Sequence, residues 1–177
     1  LSNINTTEFT THKTTINETS IKSVYLDRCV IVFSQSEKNG DFSSLLTQPL
    51  KYRARNYKFS SILTNTSIDF SQSNFIIIGV LEKLSSCLPN EIVKLTTSLI
   101  SNFNIKNLND YFIISLEKNP FDCQRKILLI IFSGTKAEKE LLSLWGRFDV
   151  DPLFNNRQII YSCGNILNME ENANEDN

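Results

Sequence analysis

The run Ile127-Leu-Leu-Ile-Ile-Phe132 constrains this chain more than any other stretch. Six large apolar residues without polar alternation do not describe a half-exposed strand, and so short a run suits a strand buried on both faces of a sheet. Ser133, Gly134 and Thr135 break it. Ala137, Leu141, Leu144, Trp145 and Phe148 then recur at helical spacing, with Lys136, Lys139, Glu140 and Arg147 mostly elsewhere. Thr135 and Glu138 have the spacing of a capping box, in which the Thr oxygen takes a free helix N–H and the Glu reaches back. The stretch predicts a buried strand, a tight turn and a helix laid back on the sheet, with Trp145 and Phe148 in the core.

Cys29-Val-Ile-Val-Phe33 and Asn74-Phe-Ile-Ile-Ile-Gly79 are two more buried-strand candidates. Tyr57–Leu63 and Tyr111–Leu116 read as further strands, and Gln158–Ser162 as a last strand at an edge. Pro89–Phe103 reads as a helix: Pro89 suits the first turn, Glu91 the positive helix end, and Ile92, Val93, Leu99, Ile100 and Phe103 form an apolar face. Lys38–Asp41 reads as a turn, Phe42–Leu46 as a short helix stopped before Pro49, and Asn65–Ser73 as a loop. Asn119-Pro-Phe-Asp122 is a turn that delivers the chain into the central run.

Strands and helices interleave, and the best strands are unbroken apolar runs. The fold class predicted is α/β: a Rossmann-like or flavodoxin-like mixed, mostly parallel sheet with helices on both faces. Two strand pairs lack a full helix between them, 57–63 with 74–79 and 111–116 with 127–132, so antiparallel neighbours or a hairpin are expected at both. Residues 1–23, rich in Thr, Asn and Ser, read as a disordered arm or linker, 24–167 as one domain, and 168–177 as an acidic disordered tail.

Charge and composition exclude several classes. Eighteen basic against nineteen acidic residues give a net charge of -1, so no global field favours nucleic acid or an anionic membrane. No apolar run reaches the roughly 20 residues of a spanning helix. The start at Leu1, without Met or a signal-like segment, reads as a processed or excised piece of something longer. Cys29, Cys87, Cys123 and Cys163 are scattered without a CxxC pair and read as reduced thiols, with a single disulfide the alternative. Glycosylation acceptor patterns at Asn5, Asn17 and Asn65 matter only in a secreted protein. The chain reads as soluble and leaning to the cytoplasm.

The only histidine is His12, in the arm, so a Ser-His-Asp triad, a Cys-His pair or a histidine zinc site has no place in the body. Neither GxGxxG nor GxxxxGK[ST] occurs, and no cofactor or metal is implied. The most suggestive ligand-binding residues are Ser133, Gly134 and Thr135, where a strand-to-helix turn offers free N–H groups to an anion, and Gly79 with Glu82, at the analogous turn after the Asn74–Gly79 strand. Lys51, Arg53, Arg55 and Lys58, with Tyr52 and Tyr57 between them, form a basic aromatic stretch that could grip nucleic acid.

The segment Asp110-Tyr-Phe-Ile-Ile-Ser-Leu-Glu-Lys-Asn-Pro-Phe, followed by Arg125-Lys-Ile-Leu-Leu-Ile-Ile-Phe-Ser-Gly-Thr and a helix, resembles a recurring α/β module. The pattern is strand, Asn-Pro-aromatic turn, apolar strand, Gly-Thr turn, helix. It is similar to modules of the periplasmic cellulose-synthase B subunit, of surface-layer-type proteins and of regulator-associated microbial domains. Asn74–Gly79 matches the strand that in such modules ends in a glycine-rich turn, here without its second glycine. The resemblance covers residues 74–148 and implies a non-enzymatic binding or scaffolding domain.

The first functional expectation is therefore a non-catalytic binding or interaction domain within a larger protein or assembly. Its partner would be another protein or the remainder of a longer chain. The second is an enzyme acting on a nucleotide or phosphorylated ligand, with the anion at Ser133–Thr135 and Glu82 moving a proton. The third is nucleic-acid attachment through residues 51–58.

Overall fold

The computed structural model describes residues 17–33, 57–61 and 68–167. Phe42–Leu46, the turn before it, and Lys51, Arg53 and Arg55 lie outside them. The strands are β1 (Cys29–Phe33), β2 (Tyr57–Ser61), β3 (Asn74–Gly79), β4 (Tyr111–Asn119), β5 (Asp122–Ser133), β6 (Gln158–Ser162) and β7 (Asn165–Leu167). The α-helices among the described residues are α1 (Leu81–Ser85), α2 (Asn90–Asn102) and α3 (Thr135–Trp145), with 3₁₀ turns at Ile21–Leu26 and Pro152–Asn155.

The strands form one sheet in the order β2-β1-β3-β5-β4-β6-β7. The apolar run that opened the sequence reading is its middle. Ile127 to Phe132 are all buried in β5, with Phe75↔Ile127 through Gly79↔Ile131 in register on one side and β4 on the other. Alternation sorts the run between two cores. Leu128, Ile130 and Phe132 face the side covered by α3 and both 3₁₀ turns, while Ile127, Leu129 and Ile131 face α1 and α2. The predicted stripe Ala137, Leu141, Leu144, Trp145, Phe148 is buried throughout. Trp145, Phe148 and Phe154 pack as a ring cluster with centroids 4.8–5.5 Å apart, and each such side chain stabilises by about 1.5–3 kcal/mol.

The Rossmann-like or flavodoxin-like, mostly parallel sheet is not what forms. β2, β1, β3 and β5 pair in parallel, but β5–β4, β4–β6 and β6–β7 are antiparallel, so the neighbour pairs divide evenly. The cause is the turn at Pro120-Phe121. Two residues can join only antiparallel strands, because a parallel return needs a crossover of a dozen residues or more. β4 is thereby wedged between β5 and β6, and the helical cover is sparse. The other expected hairpin is also corrected: β2 and β3 do not pair, and both flank β1 in parallel. Nor is β6 an edge, since β7 pairs outside it.

Two polar anchors fix the ends of this arrangement. Asn119, buried at the hairpin tip, accepts the Phe121 amide at 2.9 Å and donates to the Phe70 carbonyl. Ile21, Val24 and Tyr25 of the first 3₁₀ turn are fully buried in the α3-side core, and Asn74 ties that turn to the sheet through the Val24 carbonyl at 3.2 Å.

Candidate functional site

The parallel strands end at one edge, and the sequence-predicted residues converge there. Gly79 is in register with Ile131, two residues short of Ser133, and Ser133 pairs with Tyr111 of β4. Glu82, exposed in the first turn of α1, lies close enough to Tyr111 to act on it. Burial, and then the Glu82 charge, push the Tyr111 phenol above its ordinary range. Ser133 is thus the neighbour of Tyr111 across the β4–β5 ladder, Glu82 acts on its phenol, and Gly79 lies on the far side of β5. Lys58 does not join them: it sits in β2, the outermost strand, opposite Val30.

The capping of α3 differs from the one predicted. Thr135 is no cap. The N-cap of α3 is Gly134, no side chain caps the helix, and Thr135 is its exposed first residue. The capping-box pair is therefore one residue out of step. Gly134 takes φ +95, a conformation open chiefly to glycine, and its Cα faces the Asn109 carbonyl oxygen so closely that a Cβ would overlap it. A backbone carbonyl therefore packs against the Gly134 Cα at this turn. Among the described residues, no group of His, Cys, Asp or Glu side chains could hold a metal ion.

The opposite edge carries a cleft of about 490 Å³, lined among others by Glu18, Glu117, Lys118, Arg125, Lys126 and Arg157. It exists because the β4–β5 hairpin outruns its neighbours. β6 begins opposite Ser115, so the outer edge of β4 is open beyond Leu116, whose amide bonds to the Arg157 carbonyl. The hairpin is also uneven. Lys118 faces Lys126, the next pair is Asn119↔Asp122, and Cys123, Gln124 and Arg125 bulge from β5 without counterparts. Bulges re-aim side chains, and this one turns Cys123 and Arg125 into the cleft wall.

Four cations and two carboxylates line the cleft. Arg157 pairs with Glu117 at 3.0 Å and donates to the Leu116 carbonyl at 2.9 Å. Arg125 reaches Asp27 at 3.4 Å and Asp122 at 3.5 Å. The Lys126 ammonium donates to Ser23 Oγ at 3.0 Å and to the Glu18 carbonyl; burial lowers its pKa, and the Glu18 charge opposes that shift. Lys118 makes no ion pair among the described residues. Antiparallel partners share a face, so Lys118 and Lys126 stand side by side.

This cleft leaves little trace in the sequence. Its only signal was the asymmetry around Pro120-Phe121, with Lys118 two residues before the turn and Arg125-Lys126 displaced after it. No protein-family model matches the chain, and no curated protein matches its sequence. No helix among the described residues is long and apolar enough to cross a membrane. What fold and site define is a mixed α/β sheet protein with a cation-rich cleft at the amino edge of its parallel strands.

Proposed function

We propose that this is a non-catalytic interaction domain whose amino-edge cleft receives an acidic, extended segment of a protein partner or of the remainder of a longer chain. The observation that carries the reading is the Lys118↔Lys126 pair. Like charges directly opposite each other destabilise a strand pair. A carboxylate set between them removes the repulsion, and Arg125 and Arg157 flank the position with charge-assisted donors. The alternative, a phosphorylated ligand at Ser133–Thr135, rests on the strand-to-helix turn alone.

The test is binding of a fluorescein-labelled polyglutamate peptide, followed by anisotropy at low ionic strength. The chain binds it, added salt weakens the complex, and Lys118→Glu with Lys126→Gln raises Kd by about tenfold, from the loss of pairs worth about 0.2–1 kcal/mol each and the added repulsion. Peptide binding equal in wild type and variant would remove the reading. So would turnover of a nucleotide panel that Glu82→Gln abolishes.

A further inference from the structure

We propose that the cleft reads the spacing of carboxylates as well as their charge. It takes an extended segment in which acidic residues alternate. Arg157 holds one carboxylate, the Lys118–Lys126 pair holds the carboxylate two residues along, and Glu117 positions Arg157. This rests on the reading of the cleft as an acceptor of acidic segments.

The Arg157 guanidinium is fixed before any ligand arrives. Gln158 Nε2 donates to Ser115 Oγ at 2.9 Å, and Ser115 Oγ donates to Glu117 Oε1 at 2.8 Å. Arg157 donates to the other Glu117 oxygen at 3.0 Å and, through Nε, to the Leu116 carbonyl at 2.9 Å. Ser115 is fully buried, so this chain of bonds starts inside the sheet and ends at the cleft wall. Holding Arg157 uses two of its five N–H donors and leaves three. A planar fork with spare donors matches a carboxylate. An orientation set in advance spares the ordering cost that a loose side chain incurs on binding.

The second anion position is the lysine pair, with Lys118 opposite Lys126. The Lys126 ammonium is held by Ser23 Oγ and the Glu18 carbonyl, and Lys118 makes no ion pair among the described residues. The Nε bond pins Arg157 at the level of Leu116, and Lys118 lies two residues farther along β4, about 6.4–6.8 Å at strand rise. In an extended segment the residues i and i+2 share a face at that same interval, whereas adjacent residues point to opposite faces. Alternate glutamates therefore match both positions at once, and a glutamate pair four residues apart overshoots them.

Two fluorescein-labelled peptides of equal length and charge test this on the full chain by anisotropy at low ionic strength. One is a strict Glu-Ser alternation; the other is a Glu-Glu-Ser-Ser block repeat, which contains no glutamate pair at i and i+2. The alternating peptide is expected to bind about threefold to fivefold more tightly. Equal affinities overturn the spacing rule and leave the acidic-segment reading intact, and binding of neither peptide overturns both. Arg157→Gln deletes the fork and is expected to abolish the preference; a preference that survives it overturns the assignment. Glu117→Gln separates positioning from charge. It removes a carboxylate from the cleft wall, so the block peptide binds at least as tightly as to wild type, while the alternating peptide loses its advantage. An advantage kept in Glu117→Gln overturns the positioning role.

Discussion

The side-chain oxygen of Asn74 accepts the backbone amide of Lys126 at 2.9 Å, and its side-chain nitrogen donates to the Val24 carbonyl at 3.2 Å. One buried amide at the start of β3 therefore holds both the end of the β5 bulge and the 3₁₀ turn beneath it. Asn74→Ala leaves the part-buried Lys126 N–H and the buried Val24 C=O without these partners, each costing up to about 1–3 kcal/mol. We expect a loss of about 2–4 kcal/mol in urea unfolding, with Lys126 losing hydrogen-exchange protection ahead of the global transition. A loss below about 1 kcal/mol would mean that water replaces both bonds.

Gly134 and Gly146 bracket α3 and should respond oppositely to alanine. At Gly134 the Cβ meets the Asn109 carbonyl and φ is +95, so Gly134→Ala adds a clash to backbone strain of about 1–3 kcal/mol. At Gly146 the backbone is helical, with φ -60, and a Cβ meets the Ser143 and Leu142 carbonyls at 3.4 and 3.6 Å, ordinary contact distances. Gly146→Ala is expected to be neutral or stabilising by about 0.4–1 kcal/mol. Thermal unfolding of the two variants side by side checks the pair.

The four thiols should separate by reactivity. Cys29 is fully buried in β1 and its pKa is pushed far up by burial, whereas Cys123 and Cys163 are exposed and Cys87 is half-buried. The thiolate is the reactive form. Native-state labelling with mass mapping should modify Cys123 and Cys163 first, Cys87 later, and Cys29 only on unfolding. Cys163 also takes φ 53 beside Gly164 at φ 82 in the two-residue turn between β6 and β7. Asn suits that conformation better, and Cys163→Asn should raise stability by about 0.5 kcal/mol.

Tyr111 makes stability pH-dependent at the alkaline end. Its phenol is raised above the ordinary value of 10.0, first by burial and then by Glu82. The folded state keeps the proton where the unfolded chain loses it, so this contribution is present below pH 10 and is lost as pH climbs through the folded pKa. Tyr161 is shifted the same way by burial, Asp110 and Glu140. Tyr111→Phe should flatten, without abolishing, the decline in unfolding free energy between about pH 9 and 11. A slope identical to wild type would show that the Tyr111 hydroxyl is solvated.

By themselves, the residues determined which segments are buried and in what form. Ile127–Phe132, Phe75–Ile78 and the Ala137–Phe148 stripe were legible because burial on one or both faces leaves a periodicity that local sequence must carry. The Asn119-Pro-Phe-Asp122 turn was legible for the same local reason. Pairing and proximity were decided by the tertiary structure. β2 and β3 flank β1 because of contacts between segments far apart in sequence, and no pattern inside either strand encodes its neighbour. Ile21, Val24 and Tyr25 lay hidden next to a Thr- and Asn-rich stretch and were recruited to the core by a sheet that begins after them. That Gly134 packs against the Asn109 backbone was likewise decided by segments brought together in three dimensions. The cleft arose in the same way. Lys118, Lys126 and Arg157 are unremarkable in sequence and meet only because a hairpin overshoots its sheet, so their shared field is a property of three-dimensional placement.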